Sequence, residues 1–149
     1  MNGRLRKLRR LDAYLRDMAL SDYPEVNFNY VTSQEDSAPR LSTRSGTQVL
    51  VARPELRLMF RDLDTEQNAI IETIFFALEP DLDAGKTDVL ECQQYDRCCE
   101  IEERILERIL TDCDRCDALA GLRVTDVAVR PEVKLFGSWN GYSMAISME

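Results

Sequence analysis

The chain has 149 residues, 44% of them apolar and 31% charged, with a formal charge of −8. That balance excludes a disordered chain, and no apolar run approaches the ~18 residues of a membrane-spanning helix. Histidine is absent, which removes the commonest general base, the Ser-His and Cys-His nucleophile pairs and every His-bearing metal site, so an enzyme is not expected.

Charge is sorted by position. Arg4, Arg6, Lys7, Arg9 and Arg10 fall in the first ten residues without an acid, whereas residues 62 to 117 hold 17 Asp and Glu against 5 Lys and Arg. A basic start on an acidic body points to contact between copies or to an anionic partner. Residues 4 to 20 read as an amphipathic helix with Leu8, Leu11, Leu15 and Met18 in one stripe, inside a basic region over about 1–22 that Asp22 and Pro24 close. Its cations stand at the dipole-unfavourable end, which is expected to fray unless an anionic surface receives it. Val26 to Val31 alternates as a half-buried strand does. Residues 32 to 46 are polar and turn-rich, with Leu41 as the one large apolar residue, and are expected to form a mobile loop.

Val49 to Ala52 and Leu56 to Phe60 read as strands, with Pro54 as the break between them. Asp64 and Gln67 resemble a capping box, and Ile71, Ile74, Phe75 and Leu78 follow at i, i+3, i+4 and i+7. That spacing predicts a helix over about 65–79, closed by Pro80. A second start at Thr87 or Asp88 opens a long helix to about Cys113. Its buried side is read as Tyr95, Cys99, Leu106, Leu110 and Cys113, with Ile105 and Ile109 beside them, and its outer face as Glu100, Glu103 and Glu107. Gly121 is the helix stop. Leu122 to Val129 is strand-like, with a change of phase near Asp126 of the kind a bulge causes. Val133 and Leu135, then Tyr142, Met144, Ile146 and Met148, complete the pattern, and Asn140-Gly141 predicts a hairpin turn. Trp139, the only tryptophan, then sits at the tip, either as a buried anchor or as an exposed contact residue.

These elements compose a single α+β domain over 1–149, with a largely antiparallel sheet, two main helices packed on one face and an N-terminal amphipathic helix. Ile71, Ile74, Phe75, Leu106 and Leu110 are the expected packing residues between helices and sheet.

Motifs that carry chemistry fail on inspection. Gly85-Lys86-Thr87 ends like a phosphate loop, but the position five before Gly85 is Pro80, so Thr87 reads as a helix cap. Asp81, Asp83 and Gly85 hint at a calcium loop, yet Lys86 and Cys92 occupy the required Gly and Glu positions. Cys113 and Cys116 have metal or redox spacing. Along one helix, however, Cys99 and Cys113 stand about 21 Å apart, too far to share an ion, and Asp112, Asp114 and Asp117 favour neutral thiols. No cofactor and no metal is expected, and Cys99 and Cys113 are read as small buried packing residues. The polar residues that interrupt every apolar stretch after the basic start argue against a signal peptide, so a cytoplasmic chain with reduced cysteines is expected.

With the elements in this order, and a closing run Gly141-Tyr142-Ser143-Met144-Ala145-Ile146-Ser147-Met148, the chain resembles bacteriophage tail-terminator and tail-completion (neck) proteins. Those are small α+β domains, typically a sheet flanked by helices, that assemble as rings at the head-tail junction. The resemblance spans most of the chain as element order. It implies a non-enzymatic structural protein forming a homo-oligomeric ring with neighbouring assembly proteins, in the host cytoplasm during assembly and then in the virion. The residues add a specific contact. Arg4, Arg6, Lys7, Arg9 and Arg10 of one chain would meet Glu100, Glu103 and Glu107 of the next, with Trp139 as a further contact. The alternative is a small cytoplasmic regulatory or nucleic-acid-binding module that uses the basic N-terminus.

Overall fold

The computed structural model describes residues 3–20, 26–32, 41, 46–60, 62, 66–82, 87–115 and 119–149. Its elements run α1 (Gly3–Leu20), β1 (Asn27–Val31), β2 (Gln48–Ala52), β3 (Glu55–Phe60), β4 (Glu66–Pro80), α2 (Asp88–Arg115), β5 (Val124–Leu135) and β6 (Trp139–Met148). The six strands form one sheet in the order β1-β2-β4-β6-β5, with β3 added on β4. Every pairing is antiparallel except β1 with β2, so the α+β class holds, with a mixed and mostly antiparallel sheet. A parallel neighbour needs a connection of a dozen or more residues, and the stretch between Thr32 and Thr47 supplies it. The expected loop at 32–46 lies mostly outside the described residues, but Leu41 within it is fully buried. The expected helix ends at Asp22, Pro24 and Asp64 also lie outside the described residues.

The helix expected over 65–79 is instead β4, a strand of 15 residues. Ile71, Ile74, Phe75 and Leu78 satisfy a helical spacing, but they belong to a run broken only by Glu72 and Thr73 that is rich in β-branched and aromatic side chains. A strand covered on both faces reads as a near-continuous apolar run, with no alternation to betray it. The C-terminal part of β4 is central: Val51 pairs with Phe75 on one edge and Met144 pairs with Phe75 on the other. Its N-terminal part is different. β6 joins from Ile71, so among the described strands β3 is the neighbour that residues 66–70 pair with, as a two-stranded ribbon.

Helices α1 and α2 lie over one face of the sheet, called the near face, and touch each other where the Tyr14 hydroxyl donates to Asp112. α1 buries Leu11, Tyr14, Leu15 and Met18, with Leu8 packed beside them, as the sequence stripe requires. α2 buries Gln94, Cys98, Ile101, Glu102, Ile105 and Ile109. That face is rotated from the expected one: Cys99 and Leu110 are exposed, and Tyr95, Leu106 and Cys113 are only half-buried. The phase follows from Ile101, Ile105 and Ile109 meeting the sheet while Gln94 and Glu102 find acceptors or donors there. Each fully buried Leu, Ile or Met contributes roughly 1.5–3 kcal/mol, so this layer supplies most of the folding energy.

On the far face, Leu41, Leu50, Phe76, Leu78 and Trp139 form a second, smaller core. Trp139 is 5% exposed, which decides for the anchor over the contact residue. Phe136 closes on Phe76 edge to face, with ring centroids 5.3 Å apart. The β5–β6 turn falls at residues 136–138, earlier than Asn140-Gly141. Asn140 and Gly141 lie inside β6, and a Cβ at Gly141 would stand 2.0 Å from the Ala77 carbonyl oxygen. The glycine therefore serves the close approach of β6 to β4. The bulge expected near Asp126 is present, as a register shift between Val124 and Asp126.

Candidate functional site

Three features outside the core combine side chains of use to a partner: the basic surface of α1, the acidic surface of α2, and an open groove on the far face. On α1, Arg6 and Arg9 are exposed while Lys7 and Arg10 are half-buried. The side chain of Arg4 lies outside the described residues. Arg6, Arg9, Arg10 and Arg16 line a shallow concavity with Asp12 and Ala13. Arg16 pairs with Asp12 at 3.0 Å, one turn away, and Asp12 also accepts the Tyr30 hydroxyl, so α1 is tied to β1. The cations thus sit on a helix that starts at Gly3. Glu100, Glu103 and Glu107 are exposed on α2, as the sequence spacing requires. The structure brings neither set together with Trp139, which is buried on the opposite side of the sheet.

A polar network fastens the start of α2 to the sheet. The Thr87 hydroxyl accepts the Leu90 N–H at 3.2 Å, which confirms Thr87 as the helix cap. Arg97 donates twice to Glu79, at 2.9 and 2.7 Å, and the Thr47 hydroxyl donates to the same carboxylate at 3.1 Å. The Glu79 hydrogen bond raises the Arg97 pKa. Gln94 donates to the Pro80 carbonyl at 2.7 Å, and Asn140 donates to Asp81 at 3.0 Å while accepting the Lys134 N–H at 2.7 Å. Residues 83–86 and Cys116, which held the phosphate-loop, calcium-loop and Cys-x-x-Cys readings, lie outside the described residues.

Glu102, one turn from Cys98, is a carboxyl that sequence reasoning missed. It is 2% exposed; its Oε1 accepts the Ala77 N–H at 3.1 Å and its Oε2 has no partner among the described residues. Burial pushes its pKa well above the usual carboxylate range, and the Ala77 hydrogen bond only partly opposes this. Burial, aided by Glu79 and Glu102, also pushes the Cys98 thiol up to about 12, so it is an inert packing group. Cys113 is likewise raised, first by burial and then by Asp114 and Asp112. Among the described residues no three Cys, Asp or Glu side chains stand close enough to hold one ion.

The far-face groove occupies about 520 Å3 between β4, β6 and β5. Ile74, Phe76, Ala128 and Ala145 floor it, and Glu72, Asp126, Arg130 and Glu132 stand around it. The Ser143 hydroxyl donates to Glu132 at 2.9 Å and holds that carboxylate toward the groove. Beside it the ribbon exposes Leu58, Met59 and Phe60, the last by 55%. Consecutive large apolar residues in a strand were legible; that the far end of the strand, beyond Leu56, would be exposed was not.

Among the described residues no helix is long and apolar enough to cross a membrane. The chain matches no protein-family model and no curated protein sequence.

Proposed function

We propose that this chain is a non-enzymatic structural assembly protein that forms a homo-oligomeric ring, as a virion head-tail junction or tail-completion component does. The observation that carries the reading is the opposite charge on the outer surfaces of the two helices. α1 presents Arg6 and Arg9, and α2 presents Glu100, Glu103 and Glu107. Two complementary patches at different places on one chain favour a head-to-tail contact, and such contacts close into rings when the rotation allows. Exposed ion pairs are worth only ~0–1 kcal/mol each, so these charges orient neighbouring chains while apolar contacts hold them. Such a protein works in the host cytoplasm during assembly and afterwards in the virion, beside other assembly proteins.

Sedimentation of the full chain at low and high salt tests this, with electron microscopy of the low-salt species. The expected result is a ring that loses subunits when Arg6, Lys7, Arg9 and Arg10 are changed to Glu, and regains them when Glu100, Glu103 and Glu107 are changed to Lys in the same chain. A monomer under every condition would refute it.

The second reading, a nucleic-acid-binding module, draws support from the α1 concavity, where Arg6, Arg9, Arg10 and Arg16 converge. It requires an affinity for DNA or RNA that falls steeply with salt, with a slope that shrinks as these arginines are removed. A flat salt dependence would dismiss it.

A further inference from the structure

We propose that strand β5 is a self-pairing edge: two copies join antiparallel about a two-fold axis at Ala128, with Asp126 of each facing Arg130 of the other. The surface is separate from the charged helices, and the contact does not depend on ring closure.

β5 is the last strand in the sheet order, and among the described residues no strand pairs with its outer edge. All 12 of its residues are exposed or half-buried, Val129 by 45%. Such an edge carries unpaired main-chain N–H and C=O groups that template another strand. Which groups point outward follows from the ladder. Arg123 and Glu149 exchange both main-chain bonds at 3.0 Å, and the bulge at Thr125 then shifts the phase by one residue. Asp126, Ala128 and Arg130 therefore bond to β6, while Val127 and Val129 direct their N–H and C=O groups outward. Pro131 fits the same phase, because its missing N–H falls on the open side.

The usable window is short and symmetric. The bulge at Thr125 closes it on one side and Pro131 on the other, which leaves Asp126 to Arg130 with Ala128 at the centre. A second copy laid antiparallel on this window sets Val127 opposite Val129 twice and makes four main-chain hydrogen bonds. Each exposed Val129 gains an apolar cross-strand neighbour. The side chains of Asp126, Ala128 and Arg130 share the far face, where they line the groove.

Charge selects both the partner and the register. Asp126 and Arg130 stand about 13 Å apart along the strand, too far to pair within one chain. Neither has another ion-pair partner among the described residues. Centred on Ala128, the two-fold sets Asp126 opposite Arg130 twice and opposes no like charges in the window. Centring on Val129 would set Asp126 against Glu132, and centring on Val127 would leave both charges unmatched. Glu132 itself lies past Pro131 and accepts the Ser143 hydroxyl at 2.9 Å. The other edges match less well. β1 has no charged residue, and β3 carries Glu55 and Arg57 two residues apart, a spacing that cannot meet charges four apart. The occupant is therefore a second β5.

The experiment uses the full chain with Ala128→Cys. Across the two-fold, position 128 meets itself as a non-hydrogen-bonded pair with Cα atoms ≈ 4.5 Å apart, within reach of a disulfide. Mild oxidation and peptide mapping should find two copies linked at position 128. Lys134→Cys, on the same strand past Pro131, should give no link. Changing Arg6, Lys7, Arg9 and Arg10 to Glu should leave the 128 link unaltered, which separates it from the ring contact. Asp126→Arg should slow linking at least about tenfold, with unchanged circular dichroism, and adding Arg130→Asp should recover it. A self-associating chain without the 128 link, or a link indifferent to Asp126→Arg, would overturn the β5 pairing and leave charge-guided assembly standing. A 128 link in a chain that forms no ring would uphold the pairing and refute the ring alone. A chain that is monomeric at every salt and concentration would overturn both.

Discussion

The two faces of one sheet differ in kind. Strand β6 shows this along its own length: Met144, Ile146 and Met148 point into the near-face core and are essentially inaccessible, while the intervening Ser143, Ala145 and Ser147 line the groove. One strand period of two residues thus builds a dry interior on one side and a small-residue surface on the other. The near face is closed by two helices and accounts for the fold. Among the described residues, the far face is closed at one end, by Leu41, Trp139 and Phe136. Its open part, together with the ribbon, is where the molecule has contact surface left over.

The sharpest way to break this contrast is at the hinge between the faces. Gly141→Val puts a Cβ within 2.0 Å of a backbone oxygen at a φ of 157°. The neighbour is main chain and cannot move aside, so a loss above about 3 kcal/mol is expected. Chemical denaturation would read this as a chain that barely folds; a stable variant would mean that β6 does not press on β4 as described. Next in size is Ile105→Ala on the near face, expected to cost about 2–5 kcal/mol because Ile105 is fully buried. The matching change on the far face, Ala145→Ser, should alter monomer stability by no more than about 0.5 kcal/mol. Similar losses from both would erase the distinction between the faces.

Glu102 sharpens it further, because it places a carboxyl inside the dry layer. Both folded and unfolded chains bind its proton below about pH 4. As pH rises, the unfolded chain releases that proton first, while the raised native pKa retains it. Stability therefore falls with pH, by at most about 1.4 kcal/mol per unit, until the native pKa is passed. Glu102→Gln should remove this slope and be the more stable form at neutral pH and above, measured by urea denaturation between pH 4 and 9. Equal slopes in the two proteins would show that Glu102 is not the buried proton carrier.

Much of this fold was legible in the chain. The α1 stripe, strands β1 to β3, the bulge in β5 and the Thr87 cap all follow from local periodicity and turn chemistry. β4 was not, because a strand buried on both faces loses the alternation that marks strands, and Ile71, Ile74, Phe75 and Leu78 happen to match a helix. The signal available was the density of β-branched and aromatic residues from Ile70 to Phe76. The face of α2 was misphased because two of its buried positions are Gln94 and Glu102, whose partners come from β4 and β6, far away in sequence. Asn140-Gly141 looked like a turn because glycine's use in close strand packing carries the same letter as its use in turns. The groove and ribbon depend on which strands end early, and no local pattern records that.

Backbone hydrogen exchange at dilute and at assembled concentration tests the division of labour between the faces most directly. The near-face amides of α2, the central part of β4 and β6 should be protected at both concentrations. Those of residues 56–60 and 66–70, which lie beyond the reach of β6, should exchange quickly in the dilute chain. Amides there that are protected as strongly as those of α2 and β6 would contradict it.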